Sequence, residues 1–120
     1  MRFNLSSTAL GSRLLTLSRV INSKNSLPIL DCFLFSVHDG QLTVTASDSE
    51  NVMRGTLNLE NCEGEGDFAV INHTILDAVK ELPEQPLSLD VDMGEMKIYI
   101  TYQNGSYNFP ILNADEYPKA

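Results

Sequence analysis

The chain runs through one plan of secondary structure twice, and that repetition limits the folds open to it. Residues 2–59 read as a short strand, a helix and three strands, and residues 67–109 read the same way. Between them lies an acidic joint, Glu60–Asp67, with two glycines. Each copy opens on phenylalanine and an alternating run, Phe3-Asn4-Leu5 and Phe68-Ala69-Val70, then places an Asn, Ser or Thr before an apolar helix. Such a unit buries its apolar face by packing on its neighbour. Two copies in 120 residues predict an α+β domain built from duplicated β-α-β-β-β units. We expect two sheets edge to edge, with both helices on one face. Half of so short a chain could hardly bury a core of its own. The joint is therefore expected to be a loop within a single domain, residues 1–120, whose halves are about 1–60 and 66–118.

The apolar spacing fills in this outline. Ser6, Ser7 and Thr8 are good helix caps, and Leu10, Leu14, Leu17 and Ile21 form one stripe at helical spacing, with Ala9 and Val20 beside it. This predicts a first helix ending near Asn22, with Ser12, Thr16 and Arg19 outward and Arg13 at the border. Leu15 falls on the polar side and Gly11 is a weak point. The second helix is predicted from His73 to Leu82, packed through Ile75, Leu76, Val79 and Leu82 and stopped by Pro83. Strands are predicted at Cys32–Val37, Gln41–Ala46 and Val52–Leu59, then along Leu87-Leu89-Val91, Met96–Tyr102 and Tyr107-Phe109. Asp39-Gly40 and Asn104-Gly105 are the hairpin signals.

Charge divides the chain unevenly. Residues 1–30 carry Arg2, Arg13, Arg19 and Lys24 and no carboxylate, a balance of +4, while residues 31–120 carry −12, which together give the net −8. A basic stretch on an acidic body marks a surface facing a polyanion, or four cations fallen together by chance. No run reaches the 18 or so apolar residues of a membrane span. The amino terminus enters a strand without a signal-peptide core, and Cys32 and Cys62 are isolated, so a cytoplasmic chain with reduced thiols is expected. Catalytic patterns are missing: no phosphate loop, no GxSxG, no HExxH. Asp48 and Glu50 could be read as an acid/base pair for a hydrolase, but they follow a strand, where such residues punctuate turns. Asp90, Asp92 and Glu95 fail the calcium-loop spacing. A binding role, with no cofactor or metal, is the expectation.

Five segments carry a resemblance. Met1-Arg2-Phe3, Leu27-Pro28-Ile29-Leu30, Leu42 to Glu50 (LTVTASDSE), Leu82-Pro83 and Asn113-Ala114-Asp115-Glu116-Tyr117-Pro118 occur in order along the whole chain. Together they resemble the amino-terminal domain of the bacterial sliding clamp, the β subunit of DNA polymerase III. The resemblance implies a DNA-clamp domain, the first of three in a longer chain, two such chains closing head to tail into a ring. It implies a non-catalytic processivity factor that encircles duplex DNA and tethers the replicative polymerase. The alternative is a small cytosolic protein-interaction domain sharing only the fold.

Residue roles follow from the same resemblance. Lys24 matches a basic loop residue that meets DNA, with Arg13, Arg19 and Lys80 as pore-facing companions. His73 stands where the family often has Arg or Lys. Ser106, Tyr107, Asn108 and Phe109 match the subunit-contact strand, with Thr74 beside it. The peptide pocket used by polymerase and clamp loader belongs to the second and third domains. No metal, no catalytic residue and no membrane contact are implied.

Overall fold

Strict alternation of apolar and polar residues, bounded by Gly and Asp turns, sets most of the strands. The computed structural model describes residues 1–19, 32–47 and 52–116. The first half contains β1 (Arg2–Ser6), α1 (Ser7–Ser18), β2 (Cys32–His38), β3 (Gln41–Ser47), β4 (Val52–Asn58) and β5 (Glu60–Glu63). The second contains β6 (Gly66–Ile71), α2 (Asn72–Val79), β7 (Pro86–Asp92), β8 (Lys97–Tyr102), β9 (Gly105–Pro110) and β10 (Leu112–Asn113), followed by a short 3₁₀ turn at Ala114–Glu116. The repeat is therefore one strand longer than its sequence suggests. Glu60–Asp67, expected to be a loop, holds β5 and the start of β6. Its residues are polar because β5 is a short, exposed edge strand, paired to β1 on one side only.

The strands form two antiparallel five-stranded sheets, in the orders β5-β1-β7-β8-β9 and β10-β6-β2-β3-β4. Replacing each element of one half by its counterpart in the other turns the first order into the second. The two halves are thus related by an internal two-fold, and they exchange their opening strands. β1 pairs with β7 of the second half, and β6 pairs with β2 of the first. Cross-strand rows make the symmetry concrete: Phe68, Phe35, Val44 and Gly55 lie side by side in one sheet. Phe3, Leu89, Ile100 and Tyr107 lie side by side in the other. The sheets also share their edges, because the chain passes from β4 to β5 across Leu59 and from β9 to β10 across Ile111.

One main apolar core joins both sheets and both helices, with a small second cluster at Cys32 and Ala69. Phe3, Phe33, Phe35 and Phe68, with Leu10, Leu14, Leu17, Ile75, Val79, Leu87, Leu89, Ile98 and Ile100, are buried in a single cluster drawn from both sheets and both helices. The helices pack on each other over that core. At their crossing stands Gly11, expected from the sequence to be a weak point. A Cβ there would lie 3.5 Å from Val79 Cγ1 and 3.9 Å from Lys80 Cα. Both are ordinary van der Waals contacts, so the crossing packs closely around a small residue and leaves room for little more than a methyl group.

Both helices are shorter than expected. Ser6 caps α1, its hydroxyl accepting from the Ala9 N–H at 3.2 Å. At the other end Ser18 Oγ donates to the Leu15 carbonyl at 2.7 Å, and the Arg19 N–H turns back to Thr16 at 3.4 Å. These i→i−3 bonds tighten the last turn and close the helix at Ser18. Val20, Ile21 and Asn22 lie outside the described residues. The second helix ends at Val79, where Lys80 is the cap and Leu82 bonds back to the Val79 carbonyl at 3.1 Å. Its amino-terminal cap is Ile71, with no side-chain hydrogen bond, so the expected polar cap applies to α1 alone.

The turns differ in their chemistry. Asp39 and Gly40 both have positive φ (54° and 71°), the two-residue geometry that suits a twisted hairpin. The Asn104-Gly105 signal also marks a hairpin, but the two loop residues are Gln103 and Asn104, and Gly105 opens β9 opposite Tyr102. Met96, expected at the start of a strand, sits in the preceding turn with φ 56°. In that turn Asp92 Oδ1 accepts the N–H groups of Gly94 and Glu95 at 2.9 and 3.0 Å, which is why an aspartate stands there.

Two polar clusters pin the ends of the elements. Ser7 and Gln85 are buried; the Ser7 N–H meets the Gln85 carbonyl, the Ser7 hydroxyl donates to Pro83, and Gln85 Oε1 accepts from the Gln103 N–H at 2.7 Å. At the surface, His38 Nε2 lies 2.9 Å from Asp67 Oδ1, and Nδ1 lies 3.8 Å from Glu65. The hydrogen bond to Asp67, opposed by slight desolvation, raises the His38 pKa above 6.5. A raised histidine pKa stabilises the fold fully below its unfolded value and loses that contribution as pH rises through the folded one. Comparing thermal midpoints with His38→Gln from about pH 5.5 to about 8.5 should show the wild type ahead in acid and the two converging in alkali. Parallel curves would show that the pair contributes nothing.

Candidate nucleic-acid interface

The basic side chains proposed from the sequence can now be placed on the helix pair. On α1, the core stripe leaves Ser12, Arg13, Thr16 and Arg19 exposed. Arg19 is the helix cap, where a cation is also favoured by the helix dipole. Arg13 lies to the side facing β4, its stem stretched over Gly55: a Cβ on Gly55 would stand 3.3 Å from Arg13 Cδ and 4.0 Å from Nε. Lys80 caps α2 beside Gly11, at the helix crossing. Its Nζ pairs with Asp77 Oδ1 at 3.0 Å, so part of its charge is already answered. Arg13 and Arg19 thus belong to α1 and its cap, and Lys80 to the end of α2. Lys24 lies outside the described residues. His73 falls in the first turn of α2, and its side chain is outside the described residues as well. Asp48 and Glu50, the acid/base alternative, also lie outside them.

The proposed contact strand is β9, and β9 is an edge of its sheet. Ser106 and Asn108 are exposed, while Tyr107 and Phe109 are half-buried. Tyr107 stacks between Tyr102 on β8 and Phe109, with ring centroids 5.1 and 6.0 Å apart. Thr74 is half-buried on α2, which packs near this strand. An edge of this kind offers unpaired backbone groups and an apolar ladder to a partner strand. By the internal two-fold its counterpart is β4, the open edge of the other sheet, where Val52 and Met53 are more than 40% exposed. β4 is expected from the sequence as a strand, but its loose alternation hides both its edge position and the Arg13–Gly55 contact. A glycine within a strand was the available signal.

Among the described residues, no group of three His, Cys, Asp or Glu side chains could hold a metal ion. No helix there is long and apolar enough to cross a membrane.

The doubled strand–helix–strand unit, with two sheets under one helix pair, is the fold of the DNA-clamp domain, as its likeness to solved sliding clamps shows. Comparison with known proteins agrees. Residues 1–120 match the family model described as the DNA polymerase III beta subunit, N-terminal domain, and the chain belongs to that family. The beta sliding clamp of Pseudomonas putida is 27% identical over 118 residues, 98% of this chain and 32% of the relative. A beta sliding clamp homolog from Streptomyces muensis is 28% identical over 98% of the chain and 31% of its own length. The crystal structure of the DNA polymerase III subunit beta from Pseudomonas aeruginosa superposes with a TM-score of 0.92 at 26% identity, covering 100% of this chain and 32% of that one. The sliding clamp of Caulobacter crescentus, at 23% identity and TM-score 0.91, shares the fold. The chain thus spans about a third of the length of these relatives.

Proposed function

We propose that this chain is the first domain of a ring-shaped sliding clamp, a non-catalytic processivity factor of the replicative DNA polymerase in the cytoplasm. The observation that carries this reading is the family match along all of residues 1–120. In the complete ring, two further domains would follow this one, and a second subunit would meet β9 and α2 head to tail through Thr74, Ser106, Tyr107, Asn108 and Phe109. Polymerase and clamp loader would bind those other domains. Arg13, Arg19, Lys24, Lys80 and His73 would face the duplex.

The chemistry suits sliding. Contacts to phosphate hold register without reading sequence, and loosely spaced cations on helices can move from one phosphate to the next. The strongly acidic remainder keeps the duplex from the outer surface. Retention comes from closure of the ring, with the phosphate contacts left weak.

The test uses the complete protein. Ser106→Asp with Asn108→Asp places two carboxylates on exposed positions of β9, so the domain should stay folded while the edge repels its partner. We expect residence on nicked circular duplex to shorten by about tenfold or more, since interface changes act mainly on dissociation. Unchanged residence would remove β9 from the interface and with it this reading of the ring.

A further inference from the structure

The internal two-fold places Gly55 and Tyr107 at equivalent points. Each ends a row that starts from an opening phenylalanine, Phe68–Phe35–Val44–Gly55 in one sheet and Phe3–Leu89–Ile100–Tyr107 in the other. Counted from the helix caps Ser6 and Ile71, Arg13 and Ala78 are likewise equivalent, each seven residues on. The second half therefore has a small helix residue and a large aromatic strand residue. In the first half the sizes are reversed, with an arginine on the helix and a glycine on the strand. Gly55 has no positive φ, so nothing in its backbone requires glycine. What the missing side chain leaves is room, and Arg13 Cδ and Nε occupy it together with Leu17 Cδ1, which would stand 3.7 Å from a Cβ at that position.

We infer that Gly55 is a positioning residue for Arg13: its bare backbone is a seat that holds the arginine stem flat against β4 and fixes where the guanidinium emerges. An arginine on an open helix face samples many rotamers and loses that freedom when it binds. A seated one has surrendered part of it in advance, and a planar fork held in place favours phosphate geometry. Arg19, exposed like Arg13 but at the helix cap and beside no strand glycine among the described residues, serves as the unseated control. That the seated cation is used against DNA rests on the function proposed above. The seat itself does not.

Side-chain ¹⁵Nε relaxation on the chain tests the seat directly. Arg13 Nε should be clearly more ordered than Arg19 Nε, and Gly55→Ala and Gly55→Val should bring Arg13 down to the level of Arg19, the valine more completely. Equal order for the two arginines in the unmodified chain would overturn the inference, whether or not either variant folds. In the complete ring, Arg13→Ala should flatten the salt dependence of DNA binding by about 0.9 in log–log slope, one phosphate contact. Gly55→Val should reproduce part of that loss, and the double variant should add nothing to Arg13→Ala. If Arg13 is ordered by Gly55 yet Arg13→Ala leaves the slope unchanged, the seat stands and the DNA reading of Arg13 fails. If Gly55→Val weakens DNA binding equally in an Arg13→Ala background, the glycine acts by another route and the inference falls.

Discussion

At physiological salt the isolated chain should scarcely bind duplex DNA. Four cations are offered to phosphate (Arg13, Arg19, Lys24, Lys80), which bounds the salt slope at about −3.6, with about −0.9 for each contact. The real value should be smaller, because Asp77 already pairs with Lys80. Even proteins built for non-specific binding reach only about 10⁻⁴–10⁻⁶ M, and a net charge of −8 opposes approach. Fluorescence anisotropy of a labelled duplex, titrated with the chain at several salt concentrations, measures this. The complete ring on circular DNA should by contrast remain bound until it opens or the circle is cut. Tight, salt-resistant binding by the single domain would make it a DNA-binding module in its own right, and the clamp account of its basic residues would fail.

The largest loss of stability is expected from Phe35→Ala. Phe35 is fully buried on β2, the central strand of its sheet, with its ring centroid 5.3 Å from that of Phe68. Removing a buried phenylalanine side chain costs about 3–5 kcal/mol, transfer and cavity together. Against the roughly 5–15 kcal/mol typical of a domain, that brings the chain close to unfolding. Urea denaturation should show the midpoint falling with little change in slope. A loss below about 1 kcal/mol would mean that the two sheets do not share the core described above.

Where one face of an element is buried, its alternation was legible. Leu42-Val44-Ala46 and Leu87-Leu89-Val91 announced their strands, and Leu10-Leu14-Leu17 announced α1. Elements with little burial were not. β5 is polar along its length and looked like a joint, and β10 is two residues long. The exchange of opening strands was also hidden, because Phe3 and Phe68 present the same pattern whichever sheet receives them. Only long-range pairing decides that. Of the candidate site, the resemblance singled out Arg13, Arg19 and Lys80 but said nothing of how each is held. The Lys80–Asp77 pair lay within helix spacing and could have been read from it. The seat of Arg13 joins positions 42 residues apart on different elements, and local pattern carries no trace of it.

Strand exchange has a consequence for the order in which the chain can assemble. As the nascent chain emerges, β2, β3 and β4 can pair early, but β2 lacks its second neighbour until β6 appears. β1 waits longer, since Arg2 lies opposite Asp90, and three quarters of the chain must be made before that partner exists. Until then β1 has at most the short edge strand β5 beside it, and Phe3 and Leu5 lack the sheet that buries them. A strand of the second half thus completes the first strand made, and neither half can finish ahead of the other. A truncation anywhere before β7 leaves two incomplete sheets, the state most open to pairing with a foreign strand. Quality control of this domain during synthesis therefore hinges on a late event, the arrival of residues 86–92 beside the amino terminus.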